Sequence, residues 1–240
     1  IPSKALLRSA DVYETIKASQ SYGIQVEGEA VPDWPAIQKR KQQVVNRLVR
    51  GVGSLLKRAE ADVFEGRGRL IDAHTVEVSG EEGTQRLEAD KIIIATGSRP
   101  MQLPLPGFDL PGVIDSTGAL ALEELPKRML IVGGGVIGCE FATLFSAFDV
   151  EVTIVEMLDR LLPMMDQDVS QEIERIMKKR KVATHLNSQA QEISSENGTL
   201  KVVVDTSDGQ ETFEVDKVLV SVGRRPNVED IGLEEVGVET

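Results

Sequence analysis

The chain has 240 residues, 41% hydrophobic and 28% charged, which is the composition of a globular protein with one large domain or two small ones. Its 27 Lys and Arg stand against 39 Asp and Glu, and a formal charge of −12 argues against non-specific contact with nucleic acid or anionic membranes. No apolar run is long enough to span a bilayer, no signal peptide is visible, and Cys139, the one cysteine, excludes an internal disulfide.

The first element, over residues 1–19, reads as a helix. Leu6, Leu7, Ala10, Tyr13 and Ile16 fall at helical spacing, and Pro2 suits a first turn. Ile1 has no initiator methionine before it, so a preceding segment is expected. Residues 35–60 read as a second helix, with Ile37, Val44, Val45, Leu48, Val52, Leu55 and Leu56 on one side. Its other side is basic throughout (Lys39, Arg40, Lys41, Arg47, Arg50, Lys57, Arg58) and reads as a solvated face rather than an anion- or lipid-binding one. From Ala61 the period changes. DVFEG, RLIDA, TVEVSG and KIIIATGS read as short strands between polar turns. MLIVGGGVIGCEFATLFSAF reads as strand, glycine turn and helix, EVTIVE as a strand, and DVSQEIERIMKKRKV as a helix. TLKVVVDTSDGQETFEV reads as a hairpin about Ser207-Asp208-Gly209, and KVLVSVG as the closing strand. His74 and His185 are assigned to packing, since two histidines are too few for a His-based metal site, and no metal is expected.

One repeat organises this order. LEADKIIIATGSRP (87–100) aligns with FEVDKVLVSVGRRP (213–226), matching Glu, Asp, Lys, Gly, Arg and Pro. Two related domains that end alike explain it. The predicted fold is therefore α/β, with two related Rossmann-like dinucleotide-binding domains carrying β-meander hairpins, the first of them incomplete. The expected division is 1–112 for the later part of the first domain, 113–226 for the second, and 227–240 for a segment returning to the first. The second copy has its glycine turn at Gly133, and the first has none within the chain.

Gly133-x-Gly135-x-x-Gly138 sits between an apolar strand and a helix of small and apolar residues. In that context each glycine has its own physical role. Gly133 allows a tight turn, Gly135 lets a pyrophosphate approach closely, and Gly138 lets helix and strand pack. The helix N-terminus offers free N–H groups to the phosphates. Glu156 ends the next strand, 18 residues beyond Gly138, where an acidic residue binds a ribose 2′-hydroxyl and repels a 2′-phosphate. The expected ligand is NAD rather than NADP. Cys139, in the first helical turn, reads as a small packed residue rather than a nucleophile.

IPSKALL, ATGSRP, GGGVIGCEFA, EVTIVEMLDRLLPMMD and VLVSVGRRPN, in this order, resemble the dihydrolipoamide dehydrogenase family of flavoprotein disulfide reductases, over essentially the whole chain. The resemblance implies an FAD- and NAD-dependent enzyme that oxidises dihydrolipoamide on the lipoyl domains of 2-oxo acid dehydrogenase complexes or of the glycine cleavage system. It implies a homodimer in the bacterial cytoplasm or the mitochondrial matrix. It places the second cysteine of a C-x-x-x-x-C redox disulfide directly before Ile1. It pairs Lys4 with Glu140 beside the flavin. Among FAD contacts it implies Lys4, Gly68, Thr96, Gly97 and Ser98. Among NAD contacts it implies Gly133, Gly134, Gly135, Val136, Ile137, Gly138, Cys139, Glu140, Glu156, Ala190 and Gly223, where Ala190 stands in place of the family's usual valine. No catalytic residue itself is expected within the chain, because the redox cysteines and a C-terminal dimer domain with an acid–base His–Glu pair are not in it. The chain alone is expected to be inactive and to hold FAD poorly. A mercuric or related NAD(P)H-dependent reductase, or a non-catalytic NAD-binding module, are the alternative readings.

Overall fold

Pro2 opens α1 (Pro2–Lys17), where its missing N–H removes no helical bond. The computed structural model describes residues 1–81 and 83–239. Ala5, Leu6 and Ala10 form the buried stripe of α1. α2 (Trp34–Arg58) begins where the Asp33 carboxylate accepts Ala36 N–H at 2.9 Å. Trp34 Nε1 donates to the Leu122 carbonyl at 2.9 Å and Lys41 Nζ to that of Leu120 at 2.8 Å, so the first turns of α2 are firmly tied. Leu48, Val52, Leu55 and Leu56, the expected apolar face farther along, are all exposed.

The chain forms two compact units. One holds Ile1–Leu48 and Pro100–Gly223, and the other Val49–Arg99 and Arg224–Thr240. The boundaries expected from the repeat lie elsewhere, after 112 and 226.

In the second unit, β1 (Arg67–Leu70), β2 (Thr75–Gly80) and β3 (Gly83–Glu88) make an antiparallel meander. β4 (Ser98–Pro100) follows. Two segments read as strands are not strands. Residues 61–65 and 91–97 carry no strand pairing, and Ile93 is 89% exposed. Apolar, β-branched residues favour a strand only when neighbours take up their backbone groups. No strand among the described residues pairs with Ile92–Ile94.

The first unit continues with β5 (Val113–Ile114) and α3 (Ser116–Leu120), capped by the Asp115 carboxylate. Then come β6 (Arg128–Val132), α4 (Val136–Ala147), β7 (Glu151–Val155), α5 (Gln167–Lys179) and β8 (Ala183–His185). β9 (Gln189–Glu196), β10 (Thr199–Thr206) and β11 (Gly209–Val215) form an antiparallel sheet, with the expected turn at Ser207-Asp208. β12 (Lys217–Val220) returns to the parallel sheet, and β13 (Arg224–Pro226) pairs with β4. The ends of the two repeat copies, SRP and RRP, thus lie side by side.

The parallel sheet has the order β5-β12-β6-β7-β8. Its strands β12 and β6 carry continuous apolar runs, Val218–Val220 and Met129–Val132, because both faces are covered. Met129, Ile131, Val152, Ile154 and Leu219 pack with Phe141, Leu144 and Phe145 of α4 and with Leu6 of α1. Leu130, Val132, Val218 and Val220 point the other way, against Ile193, Val202 and Val204 of the antiparallel sheet. From β6 the chain steps to β7 and β8 on one side, while β12 lies on the other. A topological switch point therefore falls at the carboxyl end of β6, where open α/β sheets hold their ligands.

Candidate nucleotide-binding site

The glycine turn occupies that switch point. Gly133 has φ +105°, and a Cβ on it would meet the Ser221 carbonyl oxygen at 2.7 Å. Two constraints, conformation and proximity, therefore demand glycine. Ser221 follows β12 and is buried. Its Oγ sits 3.1 Å from both the Val132 and the Gly133 carbonyl oxygens, donating at this junction. At Gly138 a side chain would drive into the Gly133 carbonyl oxygen, so α4 crosses the turn without space for a methyl. Gly135 differs. A Cβ there would meet nothing within 4 Å, so its backbone faces open space.

The N-terminus of α4 begins at that open face. Its N-cap, Gly135, supplies no side-chain cap, and the first turn carries no acid. Helical geometry leaves the leading N–H groups, around Val136, Ile137 and Gly138, without intrahelical acceptors. An uncapped helix start behind an open glycine is a cradle for a pyrophosphate. The residues present fit a dinucleotide at this place.

Glu156, just beyond β7, is only 8% exposed. Oε2 accepts Gly134 N–H at 2.6 Å and Oε1 accepts Leu158 N–H at 2.8 Å. Its own N–H donates to the His185 carbonyl, and its carbonyl accepts Ser188 N–H, both at 2.9 Å. Gly134 is engaged on both sides, since its carbonyl accepts Leu162 N–H at 2.9 Å and the Cys139 thiol at 3.3 Å. Burial, and then the charge of Glu156, push the Cys139 thiol up to about 12. It is a packed thiol, poorly suited to act as a nucleophile.

Lys4, on the first turn of α1, and Glu140 of α4 form an ion pair across 136 residues of sequence. Lys4 is largely exposed and Glu140 largely buried, so the carboxylate is the fixed partner. Three more polar ties bind α1 to this unit: Lys17 and Tyr13 to the Asp149 carboxylate, and Arg180 to Glu14. Ala190 lies in β9 with its side chain in the core, leaving only backbone for a ligand. Gly223 has φ +135°, and its carbonyl accepts Met101 N–H at 3.0 Å.

The residues carried over for FAD fall into both units. Lys4 belongs to the first. Gly68 lies in β1 opposite Val78, and Thr96, Gly97 and Ser98 form a loop in the second unit. Asn227 holds that loop: its backbone N–H donates to Gly97, its side chain donates to the Thr96 carbonyl, and its own carbonyl accepts the Thr96 hydroxyl. Arg224 grips Ser98 through both its hydroxyl and its carbonyl. Gly97 has φ +74°, and a Cβ on it would lie 3.9 Å from the Asn227 side-chain nitrogen.

Three residues important to the site were not picked out from sequence. Ser221 is a lone hydroxyl in the apolar run KVLVSVG, and that isolation is a readable signal. Leu161 packs fully buried under Gly134, where a Cβ would meet its Cδ2 at 2.5 Å. Asn227 follows the second copy of the repeat, just beyond the aligned positions.

A parallel sheet with a glycine turn at its switch point and an uncapped helix behind it defines a dinucleotide-binding unit. The profile of the pyridine nucleotide-disulphide oxidoreductase family matches residues 1–240. A dihydrolipoyl dehydrogenase of Bacillus subtilis is 40% identical over the whole chain, which covers 52% of that relative. One from Mycoplasma genitalium is 42% identical over 95% of the chain and 49% of its own length. Among solved structures, the HOCl-induced flavoprotein disulfide reductase RclA from Escherichia coli, in a Cu(II) complex, superposes with a TM-score of 0.81. It shares 32% identity with all of this chain, which covers 50% of it. The chain belongs to the pyridine nucleotide-disulphide oxidoreductase family, and FAD and NAD(P) are the cofactors that this family implies. It spans about half the length of the curated relatives it matches. No helix among the described residues is long and apolar enough to cross a membrane.

Proposed function

We propose that the chain forms part of an FAD-dependent disulfide oxidoreductase that oxidises protein-bound dihydrolipoamide to lipoamide and reduces NAD⁺ to NADH. The observation that carries the nucleotide half is the open backbone at Gly135 ahead of the uncapped start of α4. The lipoamide half rests on the likeness to dihydrolipoyl dehydrogenases. A flavin, when bound, supplies the two-electron relay between a dithiol and a nicotinamide.

The chain's own residues bind and orient. The leading N–H groups of α4 hold the pyrophosphate, and Gly133 and Gly138 keep that helix pressed against the turn. The negative charge of Glu156 at the end of β7 opposes a 2′-phosphate and so favours NAD. Lys4, paired with Glu140, presents a cation at the start of α1, beside the place of the flavin. Gly68 and the Thr96–Ser98 loop belong to the FAD-binding part, with Ala190 and Gly223 contributing backbone to the NAD side. The chain holds a single cysteine, buried and protonated, so the exchanging dithiol belongs to the rest of the protein. The intact protein works as a homodimer with lipoyl domains of 2-oxo acid dehydrogenase complexes or of the glycine cleavage system as partners, in the bacterial cytoplasm or the mitochondrial matrix. The chain by itself is inactive.

The test is a pair of titrations of the intact protein with NADH and NADPH. The reading expects NADH to bind more tightly. Equal affinities would remove the role of the Glu156 charge, and no binding of either would remove the site.

A further inference from the structure

We propose that Arg180, at the end of α5, is a positioning residue: its fork on Glu14 sets the register of α1, and so the direction from which Lys4 reaches a bound flavin. This rests on the reading that Lys4 lies beside the flavin.

Lys4 does not fix its own helix. Its side chain is 74% exposed, and its one partner is the Glu140 carboxylate. That carboxylate holds the ammonium near itself but leaves its direction open. The direction depends on where the flexible stem starts, and hence on the register of α1. The apolar stripe of α1 sets this weakly, because Ala5 and Ala10 are small and dispersion contacts have no direction. A planar guanidinium on both oxygens of one carboxylate does have direction. Arg180 bonds Glu14 in this way, Nη1 to Oε1 at 2.6 Å and Nη2 to Oε2 at 2.9 Å. These side chains are 24% and 37% exposed, against 45% and 63% for Lys17 and Asp149, so water screens this tie less than the next.

Both ends of the fork are firmly mounted. Lys181 N–H donates to the Lys178 carbonyl and Val182 N–H to that of Met177, each at 3.0 Å, and Lys181 has φ +61°. That pattern is a Schellman close, with Met177 and Val182 buried beneath it. On α1, Tyr13 and Glu14 fall on opposite sides of the Leu6 and Ala10 stripe at 3.6 residues per turn. Tyr13 bonds Asp149, just past α4, while Glu14 bonds the end of α5. Two anchors on different elements therefore oppose rotation of α1. Glu14 lies ten residues beyond Lys4, about 15 Å along a rigid helix, so a shift there is carried to the first turn.

The experiment uses the intact protein and Arg180→Lys, which keeps the charge and loses the fork. The visible absorption band of the oxidised flavin should shift. Turnover of dihydrolipoamide with NAD⁺ should lose about tenfold in kcat, the scale of a sub-ångström misplacement, with KM for NAD⁺ unchanged. Introduced into a Lys4→Gln background, Arg180→Lys should add nothing to either readout. An unmoved band and kcat in Arg180→Lys, or the same loss with and without Lys4, would overturn the proposal. Should Arg180→Lys not fold, Glu14→Asp, with its carboxylate drawn back by one methylene, is read in the same way. Lys4→Gln alone with a wild-type band and rate would remove Lys4 from the flavin. That result defeats the underlying reading, and the proposal with it, without any change at Arg180.

Discussion

Leu219 and Ile93 occupy the same place in the two copies of the repeat, and their environments are opposite. Leu219 is 0% exposed, in register between Ile114 of β5 and Ile131 of β6, and belongs to the core that also holds Trp34. Ile93 is 89% exposed with no strand beside it among the described residues. Truncating both to alanine in the chain as it stands separates position from context. For Leu219→Ala, lost transfer energy and the residual cavity amount to about 2–5 kcal/mol, as for other buried leucines. For a chain of this size each kcal/mol moves the melting temperature by about 2–4 °C, so the expected drop is roughly 4–20 °C. Ile93→Ala removes little buried area and is expected to stay within about 0.5 kcal/mol. Scanning calorimetry reads both changes, and the fluorescence of Trp34, the single tryptophan, independently reports the core around Leu219. Equal losses in the two variants would mean that residues 91–97 are sheet core after all, and the reasoning from exposure would fail.

The glycines of the turn make a contrast. Gly138→Ala forces a methyl into the Gly133 carbonyl and should cost about 1–3 kcal/mol of stability as well as NADH affinity. Gly135→Ala meets nothing and should leave urea unfolding unchanged while weakening NADH; wild-type affinity in that variant would show that no pyrophosphate approaches Gly135. The Cys139 thiol, pushed up to about 12 from an ordinary 9.0, is protonated in the folded protein at pH values where the unfolded chain has already lost the proton. Folding then retains a proton that unfolding releases, so this group's stabilisation is full below about pH 9 and declines from there toward pH 12. Iodoacetamide at pH 8 should label Cys139 only after denaturation, and rapid labelling of the native protein would contradict its burial.

Which parts of this molecule could be read from its sequence follows from how local their causes are. The helix at residues 1–19 and the Ser207-Asp208 turn depend on neighbours a few residues away, and their positions came out within a residue or two. The glycine turn was legible for the same reason, because strand, turn and helix are contiguous. Asn197-Gly198 was equally local and was passed over. The two residues have φ +52° and +83°, the pair of left-handed conformations that a two-residue hairpin needs, and Asn-Gly is its strongest short signal. KIIIATGS failed for the opposite reason. Its composition is that of β12, but β12 has β5 and β6 to accept its backbone bonds and 91–97 has no such partners among the described residues. A strand is a property of a pair, so an isolated apolar run states a capacity for pairing and nothing more.

Glu156 shows the limit within the site itself. Its spacing from Gly138 marks an acidic residue at the end of β7. The Gly134 and Leu158 N–H groups that its oxygens also accept could not be read from that spacing, because they come into range only once the loop after β7 folds back with Leu161 beneath the turn. The Lys4–Glu140 pair is a harder case still, since 136 residues separate two side chains whose local sequences give no sign of each other. Only the family likeness joined them. The packing of α1 on α4 then gives the physical reason, because Leu6 and Ala10 bury against the aromatic face of α4 and bring the two helix starts together. Charges that meet across such distances are consequences of helix packing, and they become readable when the apolar stripes that dock the helices are read first.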